Sequence, residues 1–418
     1  MNTRHNDWHY GLMGFPLAFV ALPLYVLLPH FYASSYGVPL ASLGAVLLGT
    51  RLCDAVIDPV LGRWSDRLFA RAPASVLAWA GLVACLLGLG FALLFFPPFA
   101  ALDALLAWVS ACLLLTYAAF SALSLLHQSW GARLGGNELQ RARVVAWREG
   151  LGLLGVVTAS LAPLLLGLPA TTALLFVALA LAWWAWSGAR RPLRAAPAQP
   201  ATSIWLPFAS PAFRTLLAVF VLNGIASAVP ATLLLFFVQD RLQATPAMQP
   251  LFLGSYFLCA ALSMPLWLRL VKRIGLARCW AVGMLLAVLV FGFAAQLGAG
   301  DAMPFLLVCA LSGLALGTDL ALPAALLAGT IGAAGDQNRA EGAYFGWWNF
   351  ASKLNLALAA GVALPALAWL GYTPGTQDAA ALQTLNALYC LLPCALKLMA
   401  LALLYTHVIR KSPWPNLA

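Results

Sequence analysis

Polar residues break the chain at short, regular intervals, and between the breaks run apolar stretches of about twenty residues or more. These stretches occupy roughly 10–32, 39–61, 75–97, 101–129, 143–167, 169–188, 213–238, 248–271, 277–299, 302–331, 342–370 and 382–407. A hydrocarbon core about 30 Å thick takes about 20 helical residues at about 1.5 Å each, so every stretch is long enough to cross it. The pattern predicts an all-α membrane protein of twelve transmembrane helices. Its longest polar break, 189–212, opens with Arg190, Arg191 and Arg194 and continues as an Ala/Pro-rich stretch. That segment reads as a cytoplasmic linker between two six-helix bundles, 1–188 and 213–418.

The halves echo each other. A short charged turn at 135–143 follows span 4, and another at 335–341 follows span 10. Charged turns occur in any polytopic protein, but the linker and the span count favour a parallel repeat. Two six-helix bundles in parallel repeat resemble the plan of the major facilitator superfamily, which implies a substrate site between the halves near mid-membrane and alternating access by rocking of one half on the other.

Composition agrees with the pattern. Hydrophobic residues make up 63% and charged residues 9%, with a mean hydropathy of +0.89, far from the balance of a water-soluble domain. The net charge of +10 raises the question of a nucleic-acid partner, and the placement of the 23 Lys and Arg answers it. With the N-terminus inside, eighteen fall in alternate loops: Arg4; Arg63, Arg67, Arg71; Arg133, Arg141, Arg143; Arg190, Arg191, Arg194, Arg214; Arg269, Lys272, Arg273, Arg278; Arg339; Arg410 and Lys411. The opposite loops hold Arg241 among the basic residues, with Asp103, Asp240, Asp301 and Asp378. This is a positive-inside signal, placing both termini in the cytoplasm of a multi-pass protein of the inner membrane, and no nucleic-acid partner is expected. Met1–His9 has no cleavable signal pattern, and the eight cysteines stand singly without metal-site spacing, as buried free thiols do.

Ionisable residues within hydrocarbon are costly, so each must be paired, solvated or used. Span 2 carries Arg51, Asp54 and Asp58, whose spacings of three and four put them on one helical face. Two carboxylates one turn apart repel when both ionise, so one is protonated or a cation lies between them, and either state can couple to transport. The alternative is that Arg51 balances Asp54 while Asp58 and Pro59 end the helix near water. Span 11 buries Lys353, with Asn349 one turn earlier, and Lys353 is the expected partner of the span 2 aspartates. Arg148 and Glu149 fall in the first turns of span 5, where local pairing and substrate contact are both open. Asp319 of span 10 is either a second proton site or a cap beside Pro323. His127 and Lys397, each toward a span end, are assigned structural roles. Trp347 and Trp348, beside Asn349, are candidates for stacking on a ligand.

The stretches 10–13, 51–67, 141–148 and 371–375, together with Lys353, resemble the glycoside–pentoside–hexuronide:cation symporter family along the whole chain. The most specific part is the run of Arg51, Asp54, Asp58, Pro59 and Gly62. The resemblance implies that Asp54 and Asp58 form a cation site, that Lys353 lies beside it, and that Tyr117 and Arg148 help bind a sugar. The departures are informative. Ile57 and Ala118 replace two oxygen ligands of the family's sodium-using sugar carriers, which favours a proton over sodium, since a metal ion requires several hard oxygens. Ala18, Ser121 and Leu125 stand where those carriers have two acidic residues and a tryptophan, so fewer groups are available to read sugar hydroxyls.

The expected function is cation-coupled symport of a small organic solute, sugar- or glycoside-like by resemblance, with Asp54 and Asp58 binding the cation, Lys353 and Arg51 as charge partners, and Tyr117, Arg148, Trp348, Asn349 and Asp319 on the substrate side. An amphipathic, lysolipid-like cargo, which the family also accommodates, or export is the alternative. The sequence has no nucleophile–base pair or metal motif, so an enzyme is not expected, nor any cofactor beyond the coupling proton or sodium. A channel would leave the charged constellation without a task. A monomer in the bilayer is expected.

Overall fold

The structure, a computed structural model, describes residues 7–99, 101–192 and 203–410, and no strand occurs among the described residues. Arg4, Arg194 and Lys411, and residues 193–202 of the linker, lie outside the described residues.

Span 1 is built from α1 (Asp7–Gly11), α2 (Gly14–Leu22) and α3 (Leu28–Tyr36), with a π-helical turn at Pro23–Leu27 between the last two. Then come α4 (Leu40–Arg71), α5 (Pro73–Phe95), α6 (Leu102–Arg133) and α7 (Glu138–Ser187). After the linker follow α8 (Pro211–Phe236), α9 (Gln249–Ile274), α10 (Leu276–Ala294), α11 (Ala302–Ala333) and α12 (Glu341–Trp369). Span 12 is α13 (Ala379–Asn386), a π-helical turn at Ala387–Leu391, and α14 (Leu392–Leu404). Pro393 cannot donate to the Tyr389 carbonyl, which accounts for the loosened turn at that point.

Nine helical stretches among the described residues are long and apolar enough to cross a membrane. One of them, α7, has 50 residues, about 75 Å of helix, more than twice the hydrocarbon thickness. Gly167, at φ +78°, breaks it into two spans with Pro169 just beyond; a residue with a Cβ would be strained there. Span 1 is divided by its π turn, and α4 carries too many charges to read as plain apolar helix. Nine stretches, with α7 counted twice and span 1 and α4 added, give the twelve spans expected. One boundary needs correction: span 5 begins not near Arg143 but at Glu138. Asn137 and Gln140 form a capping box, each side chain accepting from the other's backbone N–H, so the charged turn expected at 135–143 is half helix.

The helices cluster into two compact units. The first comprises Met1–Pro207 with Ile331–Phe350, the second Phe208–Thr330 with Ala351–Ala418, so α12 contributes to both. The core of the first is built on Phe19, Leu87, Phe91, Leu113, Leu126 and Trp186, that of the second on Leu233, Phe237, Phe252, Phe305 and Leu385. Large apolar side chains also stand outward, Leu164 at 83% and Trp369 at 87% exposure, as lipid-facing residues do. Lipid is as apolar as leucine, so the helices are held by close packing and internal polar contacts rather than by escape from solvent.

Candidate functional site

Asp54 and Asp58 lie on one face of α4, and both are buried, Asp58 completely. The neighbouring α6 supplies Ser121, whose hydroxyl donates to Asp54 Oδ1 at 2.6 Å. Tyr117, one turn earlier on α6 and buried, is within electrostatic reach of Arg51 and Asp54. The structure thus brings Arg51, Asp54, Tyr117 and Ser121 together beside Asp58. The first part of α12 packs closely on the same stretch of α4: a Cβ on Gly346 would meet the backbone of Asp58 and Pro59. Trp348 is buried and Asn349 half-buried on that part of α12. Trp347 is occupied otherwise, donating to the Ile204 carbonyl at 2.8 Å with its ring centroid 4.8 Å from that of Trp205, so it is not disposed to stack on a ligand.

A second group of polar residues surrounds a cavity of about 180 Å³ in the same unit, lined by α2, α6 and α7. The close approach of α2 and α7 positions it. A Cβ on Gly14 would run into the backbone of Arg148, and one on Gly155 into the backbone of Phe15, so side chains there would force the helices apart. Arg148 Nε donates to Glu149 Oε1 at 2.9 Å, and both line the cavity with Ser124, His127 and Gln128. The local pairing left open by the sequence is therefore formed. Arg148 is not in the first turns of its helix but about three turns in, because α7 starts at Glu138. His127 is fully buried, stacked on Tyr10 with ring centroids 4.0 Å apart, and its Nε2 lies 2.8 Å from the Tyr10 carbonyl. It also lines the cavity, and its Nδ1 has no hydrogen-bond partner among the described residues.

A third cluster in this unit was not singled out from sequence. Arg133 Nη2 lies 2.8 Å from Asp66 Oδ1 and 2.9 Å from Glu341 Oε2, all three side chains buried. Asp66 also accepts from the backbone N–H of Gly342 and Ala343, at 2.7 and 2.9 Å, so a carboxylate from α4 caps the positive end of α12. These contacts tie α4, α6 and α12 together at one end and hold the register in which Asp58 meets Gly346.

Lys353 falls in the second unit and is half-buried. A buried charge pair of that unit joins α11 and α14. Asp319 of α11 pairs with Lys397 of α14 at 3.0 Å. Asp319 Oδ1 also accepts from Asn223 Nδ2 at 2.9 Å and Trp280 Nε1 at 2.8 Å, and Oδ2 from the Ser227 hydroxyl at 3.3 Å. Lys397 Nζ donates in addition to Asn223 Oδ1 at 2.8 Å and Ser227 Oγ at 3.1 Å. Asp319 is thus no helix cap beside Pro323, and Lys397 is not a residue near a span end but one half of a buried ion pair. The argument that a buried lysine needs a counter-ion, applied to Lys353, holds for Lys397 as well. The signal was Asn223 and Ser227, two polar residues one turn apart in an otherwise apolar span. No group of three or more His, Cys, Asp or Glu capable of holding a metal ion occurs among the described residues.

Over residues 9–411 the sequence matches the family described as MFS/sugar transport protein. The chain belongs to this family. As a transporter of the major facilitator superfamily it is not an enzyme, and the twelve-helix fold read above is the fold of the group. Solved structures of the same fold include a bacterial homologue of the iron transporter ferroportin in an outward-facing state, at 18% identity and a TM-score of 0.72, covering 95% of this chain and 98% of that one. The E. coli fucose:proton symporter aligns at 15% identity and a TM-score of 0.68, covering 94% and 98% of the two chains. The human organic anion transporter MFSD10 aligns at 18% identity and a TM-score of 0.65, covering 97% and 100%. At such identities the likeness concerns the fold alone. No curated protein matches the sequence.

Proposed function

We propose that this MFS transporter is a symporter that carries a small, hydroxylated organic solute together with a cation, a proton in preference to sodium. The observation that supports it most is the buried pair Asp54 and Asp58, one turn apart on α4, with Ser121 donating to the first. Two buried carboxylates one turn apart repel when both are ionised, and a coupling cation or proton on them relieves that repulsion. Ile57 and Ala118 add no oxygen to that face, which favours a proton. Lys353 keeps the part of charge partner that the resemblance implies, and cation binding permits reorientation with substrate bound. The cavity lined by Ser124, His127, Gln128, Arg148 and Glu149 supports a solute rich in hydroxyls, since such a site needs several polar partners and this one has them. Tyr117, Trp348 and Asn349 are assigned to the substrate side. The likeness to a fucose:proton symporter agrees with this reading. The protein acts as a monomer in the inner membrane, with both termini in the cytoplasm.

Uptake of radiolabelled sugars and glycosides into reconstituted vesicles tests the proposal. Accumulation should follow an imposed proton gradient, survive removal of sodium, and be lost in Asp58→Asn. Full proton-driven uptake by Asp58→Asn would refute the mechanism.

A further inference from the structure

The second unit contains a cavity that the symport reading does not use. About 160 Å³ in volume, it is lined by α8, α9, α10, α11, the π turn before α14 and α14 itself, and its walls are largely apolar, with aromatic faces from Phe252, Tyr256, Phe257, Phe291 and Tyr389. Asp319 and Lys397 both open onto it. Apolar walls around one ion pair suit a ligand with an apolar body and a single charge, and the hydrogen bonds decide the sign of that charge.

Asp319 is held from three directions by neutral donors, Asn223, Ser227 and Trp280, in addition to Lys397. These neutral donors hold the carboxylate in place whether or not the lysine is present. Lys397 has Asp319 as its countercharge and otherwise two neutral acceptors, Asn223 and Ser227, which also suit a neutral amine. The fixed ion of the pair is therefore the aspartate and the replaceable one the lysine, whose flexible stem and readily altered protonation suit it to that role. Exposure agrees: the Asp319 side chain is 14% accessible and that of Lys397 5%, so an entering group meets the carboxylate first. Aromatic faces likewise favour a cation over an anion.

We infer that this cavity is a binding site for a monovalent organic cation, an ammonium group on an apolar body, anchored by Asp319 and supplying the positive charge that Lys397 supplies when the site is empty. The site holds one negative charge and so compensates one positive charge. As the ammonium ligand enters, Lys397 releases one proton through the cavity to water and remains as the neutral amine on Asn223 and Ser227, so the net charge of the site is unchanged. The titratable groups around Lys397 are Asp319 and Cys309 from α11, Tyr256 from α9, Tyr389 from the π turn and Cys394 on its own helix, while α8 and α10 face it with the neutral Asn223, Ser227 and Trp280. Among these the lysine is the group whose proton is exchanged. This site is independent of the coupling role proposed for Asp54 and Asp58.

The test is equilibrium binding of benzyltrimethylammonium to the full chain in detergent or nanodiscs, with neopentylbenzene as its neutral isostere and benzoate as an anion. The ammonium should bind at least tenfold more tightly than either. Its affinity should rise as protons become scarcer, by up to about tenfold per tenfold fall in proton concentration for one proton released. Lys397→Gln, which removes the built-in competitor, should tighten binding and abolish the pH dependence. The double variant Asp319→Asn/Lys397→Gln leaves no buried charge behind, should elute as a monodisperse protein, and should lose the preference for the ammonium. Equal binding of the isostere, weaker binding by Lys397→Gln, or a retained preference in the double variant would overturn the inference, whereas failure of sugar uptake would leave it untouched.

Discussion

The α4 face of the first unit and the Asp319–Lys397 site of the second carry buried charge differently. In the first, α4 brings two carboxylates and one guanidinium to a single face, and the donor found on Asp54 is a neutral serine hydroxyl. In the second, Asp319 and Lys397 balance each other, and every polar atom of the pair is engaged by Asn223, Ser227 or Trp280. Two carboxylates one turn apart repel when both are ionised, so their protonation or a bound cation responds readily to the surroundings. A balanced pair is stable as it stands and changes only when something displaces one of its members. In the proposed reading the same residue types couple an ion in one place and form a balanced pair in the other.

The largest expected effect breaks the first site. Asp58→Asn should abolish proton-driven accumulation in vesicles while leaving the melting temperature in detergent near that of the parent, since Asn fills the same space. In the second site the order is reversed. Asp319→Leu orphans a buried ammonium and should cost about 3–5 kcal/mol of stability, read as a marked loss of monodisperse protein on heating. Adding Lys397→Leu should restore most of that loss, because replacing both members of a buried pair by apolar residues is close to neutral. If the single and double variants were equally unstable, the ion pair would not be what Lys397 is for.

Smaller effects sharpen the comparison within the first unit. Gly14→Ala places a methyl against the Arg148 backbone, should cost about 1–3 kcal/mol, and should lower solute affinity because Arg148 moves with it. Ser121→Ala removes the hydrogen bond to Asp54, worth about 1 kcal/mol, and should slow uptake several-fold with a small fall in the thermal transition. Trp347→Phe should cost about 1 kcal/mol through the lost bond to the Ile204 carbonyl and leave uptake unchanged, which separates a packing tryptophan from a ligand-binding one.

Much of this was legible in advance for a plain reason. A bilayer forces each crossing to be a helix of nearly fixed length, so span number follows from apolar run length, and α5, α10 and α11 begin and end within a few residues of their expected bounds. Helix ends were less certain: α7 starts five residues before the expected Arg143 because Asn137 and Gln140 cap it locally. Asp54 and Asp58 could be assigned to one face because helical spacing alone puts them there. Ser121 could not be found as the donor to Asp54, nor Lys397 as the partner of Asp319, because each contact joins residues on different helices far apart in the chain.

The sequence by itself determined that this protein spans a membrane twelve times and that a few ionisable residues must lie within the helices, because the hydrocarbon solvent constrains length and penalises charge residue by residue. Tertiary structure alone decided which of those charges meet. Pairing depends on how helices rotate and approach, at Gly14 and Gly155 or Gly346 and Asp58, and that is set by packing between segments rather than by periodicity within any one of them.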